Sequence, residues 1–354
     1  AFIDATGNMQ KGTGLPLAGT LTADNTAVGS GSLAAITTGV DNSAFGVNTL
    51  NALTSGNRNT AMGDNALALV STVSDNTAYG ATTLAVLTTG TRNVAVGGSA
   101  LAALTTTNNN TAVGFQAGNT MNTGASNTLL GTYAGNTITT GSSNVAVGTS
   151  SALGAATTLN TIVGASAGAA TIGDNNTAVG ANTLNSAAAA VTDIVAIGTN
   201  ALTDALTVGA NGTVAVGTSA LTALTSGASN TAMGRNAGAS ITTGSSNTVI
   251  GHTSASAATA SNNTIVGATT GSTALGDNNT ALGTNTLNSP AAAVTDIVAI
   301  GTNALTDAIT ANGTVAVGSS ALVALTTGAT NTAIGSTAGS TITTGSSNTL
   351  VGHT

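Results

Sequence analysis

The stretch that decides the fold runs through Asn42-Ser43-Ala44-Phe45-Gly46, Asn59-Thr60-Ala61-Met62-Gly63, Asn76-Thr77-Ala78-Tyr79-Gly80, Asn93-Val94-Ala95-Val96-Gly97 and Asn110-Thr111-Ala112-Val113-Gly114. One pentapeptide, Asn-Thr-Ala-Val-Gly in outline, recurs every 17 residues. Working outward, its closing glycines fall at Gly29 through Gly148 in seven successive intervals of 17, and then continue to Gly352 in steps of 16 to 19. That makes twenty copies. A longer duplication lies over this period, because Gly173 to His252 reappears, two residues shorter, as Gly276 to His353.

A 17-residue unit is too short for two packed helices, and Thr, Val, Asn and Gly favour short strands joined by tight turns. One unit cannot bury its own apolar face, so the copies must stack. The expected fold is all-β: a parallel β-solenoid of about twenty coils, each about 4.8 Å above the last and together forming a rod roughly 95 Å long. In each pentapeptide the fourth residue is large and apolar (Val28, Phe45, Met62, Tyr79, Val96), and the second is Thr, Val or Ser. Strand alternation sends these two to one face and the third residue, Ala in fifteen copies, to the other. The fourth residue reads as core, and the Ala face as a surface open to close approach.

Two more apolar columns follow at the same spacing, Leu33, Leu50, Leu67, Leu84, Leu101 and then Ile36, Leu53, Val70, Leu87, Leu104. Thr-Thr-Gly or a relative closes the unit (Thr37 to Gly39, Thr88 to Gly90, Thr139 to Gly141), a turn in which glycine is expected to take positive φ. Asn opens sixteen of the twenty pentapeptides, and stacked Asn side chains can bond to the copies above and below. Just before the pentapeptide stand Asp24, Asp41, Arg58, Asp75 and Arg92, so from Asp41 onward opposite charges alternate along one edge. That alternation supports in-register stacking.

Composition narrows the function. The 354 residues include 47 Gly, no Cys, no Trp and no Glu; 41% are hydrophobic, 1% aromatic and 4% charged, with a net charge of −7. Four cations, two His and eleven Asp are a poor supply for catalytic pairs, so an enzyme is not expected. Nucleic-acid binding wants a basic patch with aromatic platforms, and disulfides and Cys-based metal sites are excluded. A positive mean hydropathy argues against a disordered coil, and no apolar run reaches the length of a membrane-spanning helix, so membrane insertion of this segment is not expected. A lone rod with so little charge would be sticky, which suggests that an apolar or Ala-lined stripe is covered by other copies of the chain.

The repeated Asn-Thr-Ala-Val-Gly, followed by x-x-Ala-Leu and a Thr-Thr-Gly turn, resembles the head repeats of YadA-type trimeric autotransporter adhesins and, more closely, the repeats of bacteriophage tail fibres and other mosaic trimeric fibres. The likeness covers about residues 25 to 352. It implies a left-handed β-roll, three chains side by side about one axis, and an extracellular place on a virion tail or bacterial surface. Attachment to a host glycan or surface protein is the role it implies. The 17-residue unit is longer than that of autotransporter heads, and no neck motif, heptad stalk or membrane barrel follows the repeats. Phe2-Ile3-Asp4-Ala5-Thr6-Gly7-Asn8 resembles the Ile-Asp-Ala-x-Gly-Asn entries of phage fibre shafts.

Residues 1–24 lack the repeat and are expected to cap the first coil, with Phe2, Ile3, Leu15, Pro16 and Leu17, or to join a preceding module; residues 25–354 form the repeat domain. The last repeat stops at Thr354, so the native chain is expected to continue or a partner to cover that end. No catalytic, cofactor-binding or metal-binding residue is assigned, and the receptor-binding residues stay open. His252 and His353, equivalent in the duplication, read as polar turn residues rather than ion ligands. Phe45, Tyr79, Phe115 and Tyr133 could stack on sugars, but packing is favoured because Phe45 and Tyr79 replace Val. Asp193 and Asp296 mark longer turns, with Ala187 to Ala190 and Pro290 to Ala293, expected to bulge and carry surface contacts; calcium there is the lesser reading. Besides the trimeric fibre, two other functions fit less well. One is a self-polymerising extracellular filament; the other is an ice-binding solenoid, disfavoured because Thr37-Thr38 and Thr88-Thr89 are adjacent and point to opposite faces.

Overall fold

The computed structural model describes residues 2–3, 9–10, 24–168, 171–255, 259–271, 275–307 and 309–353. The expected cap residues Leu15, Pro16 and Leu17, and Thr354, lie outside them. Near the start, β1 (Phe2–Ile3) pairs antiparallel with β2 (Met9–Gln10). The chain forms two compact units, Ala1–Asn175 and Asn176–Thr354. Each is built from the same parallel β-solenoid ladder. The first carries nine three-residue strands, from β3 (Thr26–Val28) to β11 (Thr161–Val163); the second carries eleven, from β12 (Thr177–Val179) to β22 (Thr349–Val351). Within a unit every motif position pairs with its own copy, as in Thr26↔Ser43, Ala27↔Ala44 and Val28↔Phe45.

The opening Asn of each pentapeptide forms a buried column. The Asn110 main-chain N–H and side-chain amide both donate to Asn93 Oδ1, at 3.0 and 3.2 Å, and the same amide donates to the carbonyl of Gly124 at 2.9 Å. Asn127 repeats this on Asn110. The stacked amides expected from the sequence are therefore present, and each also ties the strand to the turn of the next coil. Buried polar groups are tolerated only when bonded in this way. Where Asn gives way, the column is patched: Ile194 and Ile297 are fully buried and only donate N–H to the Asn below, whereas the buried Thr314 hydroxyl has no hydrogen-bond partner among the described residues.

The core differs from the expectation on one point. Both Leu columns are buried as expected, but the third strand residue, not the fourth, points inward: Ala44, Ala61, Ala78 and Ala95 are fully buried, while Phe45 and Val96 are half-buried and Met62 and Tyr79 exposed. The cause is the Leu33 column. Leu33, Leu50, Leu67, Leu84 and Leu101 sit at φ between 47 and 51°, a left-handed conformation that costs a bulky residue about 1–2 kcal/mol. That bend carries the Leu side chain into the coil, where full burial contributes about 1.5–3 kcal/mol and offsets the strain. With Leu there, only Ala fits opposite. Where the third residue is large, at Leu129, Ile162, Val249 and Ile265, the Leu slot of the same coil holds Gly135, Gly168, Ala255 and Gly271. A Cβ on Gly135 would lie 2.6 Å from Leu129 Cδ2.

Glycine has two uses in the coil. The closing Gly46 has φ 139°, and a Cβ on it would meet the Gly63 carbonyl oxygen at 2.6 Å. Both geometry and stacking demand it. The turn glycine differs from expectation, since Gly39, Gly90 and Gly141 do not take positive φ. What excludes a side chain there is crowding: a Cβ on Gly90 would lie 2.6 Å from Leu87 Cδ1 and against the Thr107 carbonyl of the next coil.

Leu129→Ala is expected to destabilise the fold by about 2–5 kcal/mol, because it empties a site between Gly118 and Gly135 that neither glycine can fill. Gly135→Leu alone overpacks it. Combined, the two recreate the Ala–Leu arrangement of earlier coils, so in urea unfolding the double variant should lose less than the sum of the singles. Strict additivity would contradict the compensation.

Candidate interaction surface

Three kinds of side chain face outward. On the strands, the second and fourth residues point away from the core. Among the described residues, none of the twenty fourth-position side chains, large and apolar in every copy, is buried. Met62, Met233 and Leu282 are each 44% exposed, and Ile334 43%. Beside them the second residues (Thr60, Thr77, Val94, Thr111, Thr128, Val145) are half-buried. Each unit thus carries a continuous stripe of Thr, Val and larger apolar side chains along its strand face.

At the corner before the strand, the charged column occupies left-handed backbone, from Asp24 at φ 74° to Arg92 at φ 56°. Arg58 Nε and Nη2 donate to the two carboxylate oxygens of Asp75 at 2.6 and 3.1 Å, one coil apart. This is the one ion pair among the described residues. Arg92 instead donates to Asn109 Oδ1 at 2.9 Å, so the expected alternation closes into a bidentate bridge at one step only. The hydrogen bonds from Arg58 hold the Asp75 carboxyl below the usual aspartate range, and the same bonds raise the guanidinium.

The remaining singled-out residues are dispersed. His252 is exposed, with its Nε2 against the Arg235 guanidinium one coil earlier and its Nδ1 3.2 Å from Thr253 Oγ1; His353 is exposed as well. Asp193 and Asp296 are exposed at the left-handed corner, φ 59 and 60°, and Asp296 accepts from Asn278 Nδ2 at 3.2 Å. In the longer turns, Ala291, Ala292 and Ala293 are exposed while Ala187 and Pro290 are buried. Among the described residues no three His or Asp side chains gather as a metal site would require, and no helix is long and apolar enough to cross a membrane.

Of the four aromatics weighed from the sequence, Phe45 and Tyr79 lie on the strand stripe and do not fill the core. Phe115 and Tyr133 lie just beyond the closing glycines of successive coils and meet edge to face, with ring centroids 5.7 Å apart and planes at 83°. The sequence pointed to both residues but not to their contact. Against known proteins, no protein-family model matches the chain, and a search of curated proteins finds no match either.

The Asp75 carboxyl should titrate below the ordinary value of about 3.9 in an NMR pH titration, and Arg58→Ser should return it to that range. Because the folded-state value is depressed, the bridge stabilises above the unfolded aspartate pKa and is lost as pH falls through the folded one. Both groups are solvent-exposed, so the effect on unfolding is small. An unshifted Asp75 would show that the bridge does not persist in solution.

Proposed function

We propose that the chain is the repeat body of a non-enzymatic fibre protein, in which three copies lie side by side and cover one another's strand stripes. The observation that carries this reading is the fourth strand residue, large and apolar in twenty copies and buried in none of them within a single chain. The corner slot shows what an exposed position of this coil mostly collects when nothing covers it: Asp24, Arg58, Asn109 and Ser126, with Leu159 the single large apolar residue in that column. The strand stripe collects Val, Met, Ile, Leu and aromatics instead. Their varied size, from Val28 to Tyr79, fits a surface that adjusts to a partner better than a tightly filled interior. A stripe of that composition repeated coil after coil would drive association if left bare.

The number three, the left-handed coil and the attachment role come from the resemblance of the repeats to YadA-type heads and phage tail fibres. On this reading the chain is extracellular, a shaft or head on a virion tail or bacterial surface that contributes to attachment to a host. The exclusion of charge from the stripe supports it, because a desolvated like-charge column would oppose side-by-side packing.

Sedimentation equilibrium tests the reading. The expected mass is three times the 33.1 kDa chain and constant over micromolar concentrations. Met62→Asp combined with Val96→Asp and Leu130→Asp, placed in every second coil so that no two carboxylates stack directly, should lower the mass while the far-UV dichroism is retained. A wild-type monomer would contradict the proposal, and a mass that climbs without limit would favour an end-to-end filament.

A further inference from the structure

The solenoid offers its own internal comparison, since each slot is filled many times over, and three neighbouring coils break the pattern in one place. In the slot after the closing glycine, Ser30, Ala81, Thr132 and Thr149 are typical; the coil closed by Gly97 has Gly98 there, and the next has Phe115. One slot further on, the backbone is left-handed, and Asn48, Thr82, Ser99, Gln116 and Ser150 occupy it. Tyr133 occupies it too, at φ 59°, where a bulky side chain is strained. The Leu33 column offsets the same strain by full burial, whereas the Tyr133 side chain is exposed and gains no such burial, so its place there points to a role at the surface.

The three departures meet in space. A Cβ on Gly98 would lie 3.5 Å from the Phe115 ring, at ordinary contact distance, so the ring stands beside this glycine. Phe115 is 48% exposed and Tyr133 36%, and their rings touch edge to face. Hydrogen bonds from the Tyr133 N–H to the Phe115 carbonyl, 2.9 Å, and from the Gln116 N–H to the Gly98 carbonyl, 2.9 Å, fix the three coils in register beneath them. The pair lies past the closing glycine, off the strand stripe. From residue 93 to residue 173 the chain carries no charged side chain and no His.

We propose that Gly98, Phe115 and Tyr133 form a binding platform for a neutral saccharide. The electron-rich face of an exposed aromatic ring accepts the polarised C–H groups on the apolar face of a pyranose. Ser99, Gln116 and Ser150, in the column of Tyr133 and one or two coils away, supply hydroxyl and amide partners for the sugar's rim. The one cation of these coils, Arg92, stands at the corner before the strand and is bonded to Asn109, whereas the platform lies past the strand's closing glycine, so it offers no charged partner for an acidic sugar and selects a neutral one. The rigid ladder holds the platform in place before the ligand arrives, limiting the entropy lost on binding. All three residues belong to one chain, so the platform does not depend on how many chains the fibre contains.

An array of neutral and sialylated glycans, probed with the full chain, tests it. Phe115→Thr with Tyr133→Asn installs residues that other coils already carry in these slots, so the fold is kept, as unchanged far-UV dichroism and sedimentation mass will verify. Tyr133→Phe keeps both rings. The wild type and Tyr133→Phe should be retained by a subset of neutral glycans, and the double variant should lose about tenfold or more of that signal. Retention by no neutral glycan, or equal retention of the double variant, would overturn the platform. So would a double variant whose mass falls, since the aromatic pair would then be a contact between chains.

Discussion

Each coil stands one ladder spacing, about 4.8 Å, above a near-copy of itself, so every side chain must tolerate its own kind as a neighbour. That constraint sorts the amino acids. Asn satisfies it because its amide both donates and accepts: Asn93 receives two bonds from Asn110, which receives two from Asn127. Charges of one sign fail it, and the corner column relieves the conflict where Arg58 faces Asp75. Glycine is needed where the carbonyl of the next coil comes too near for a Cβ, as at Gly46 and Gly90.

The same stacking leaves a thin interior. An inward Ala and a left-handed Leu share it, and when one enlarges the other shrinks, as Leu129 with Gly135 and Ile162 with Gly168. Once those two columns and the following Ile36 column fill the coil, no room remains for the fourth strand residue. It turns outward in every copy. The fold is thus complete in its core and incomplete on its strand face, and from that asymmetry the proposed association follows.

Strand positions, parallel register and the stacking of Asn on Asn were legible in the sequence, because a fixed period dictates all three, although the burial of that Asn column was not. The inward direction was not, since alternation separates two faces without saying which is inside, and size alone misled: Phe45 and Tyr79 looked like core residues. The compensation between Leu129 and Gly135 was the available signal. Gly118 and Gly135, standing in the Leu column, likewise marked that slot as left-handed. The turn glycines were recognised for the wrong reason, because crowding by the next coil cannot be seen within one repeat. On the surface, the edge-to-face meeting of Phe115 and Tyr133 needs coordinates, although the lone Tyr in a column of small and polar residues was visible.

The central claim is that the third strand residue faces the chain's own core and the fourth faces another copy. Because the chain contains no Cys, single introduced thiols report on this directly. In thiol-labelling kinetics, Ala95→Cys should stay unreactive until the protein unfolds, whatever its concentration. Val96→Cys should be protected at high concentration and become reactive on dilution into single chains. An Ala95→Cys thiol that reacts in the folded protein, beside a Val96→Cys thiol that labels only on unfolding, would reverse inside and outside and contradict the account.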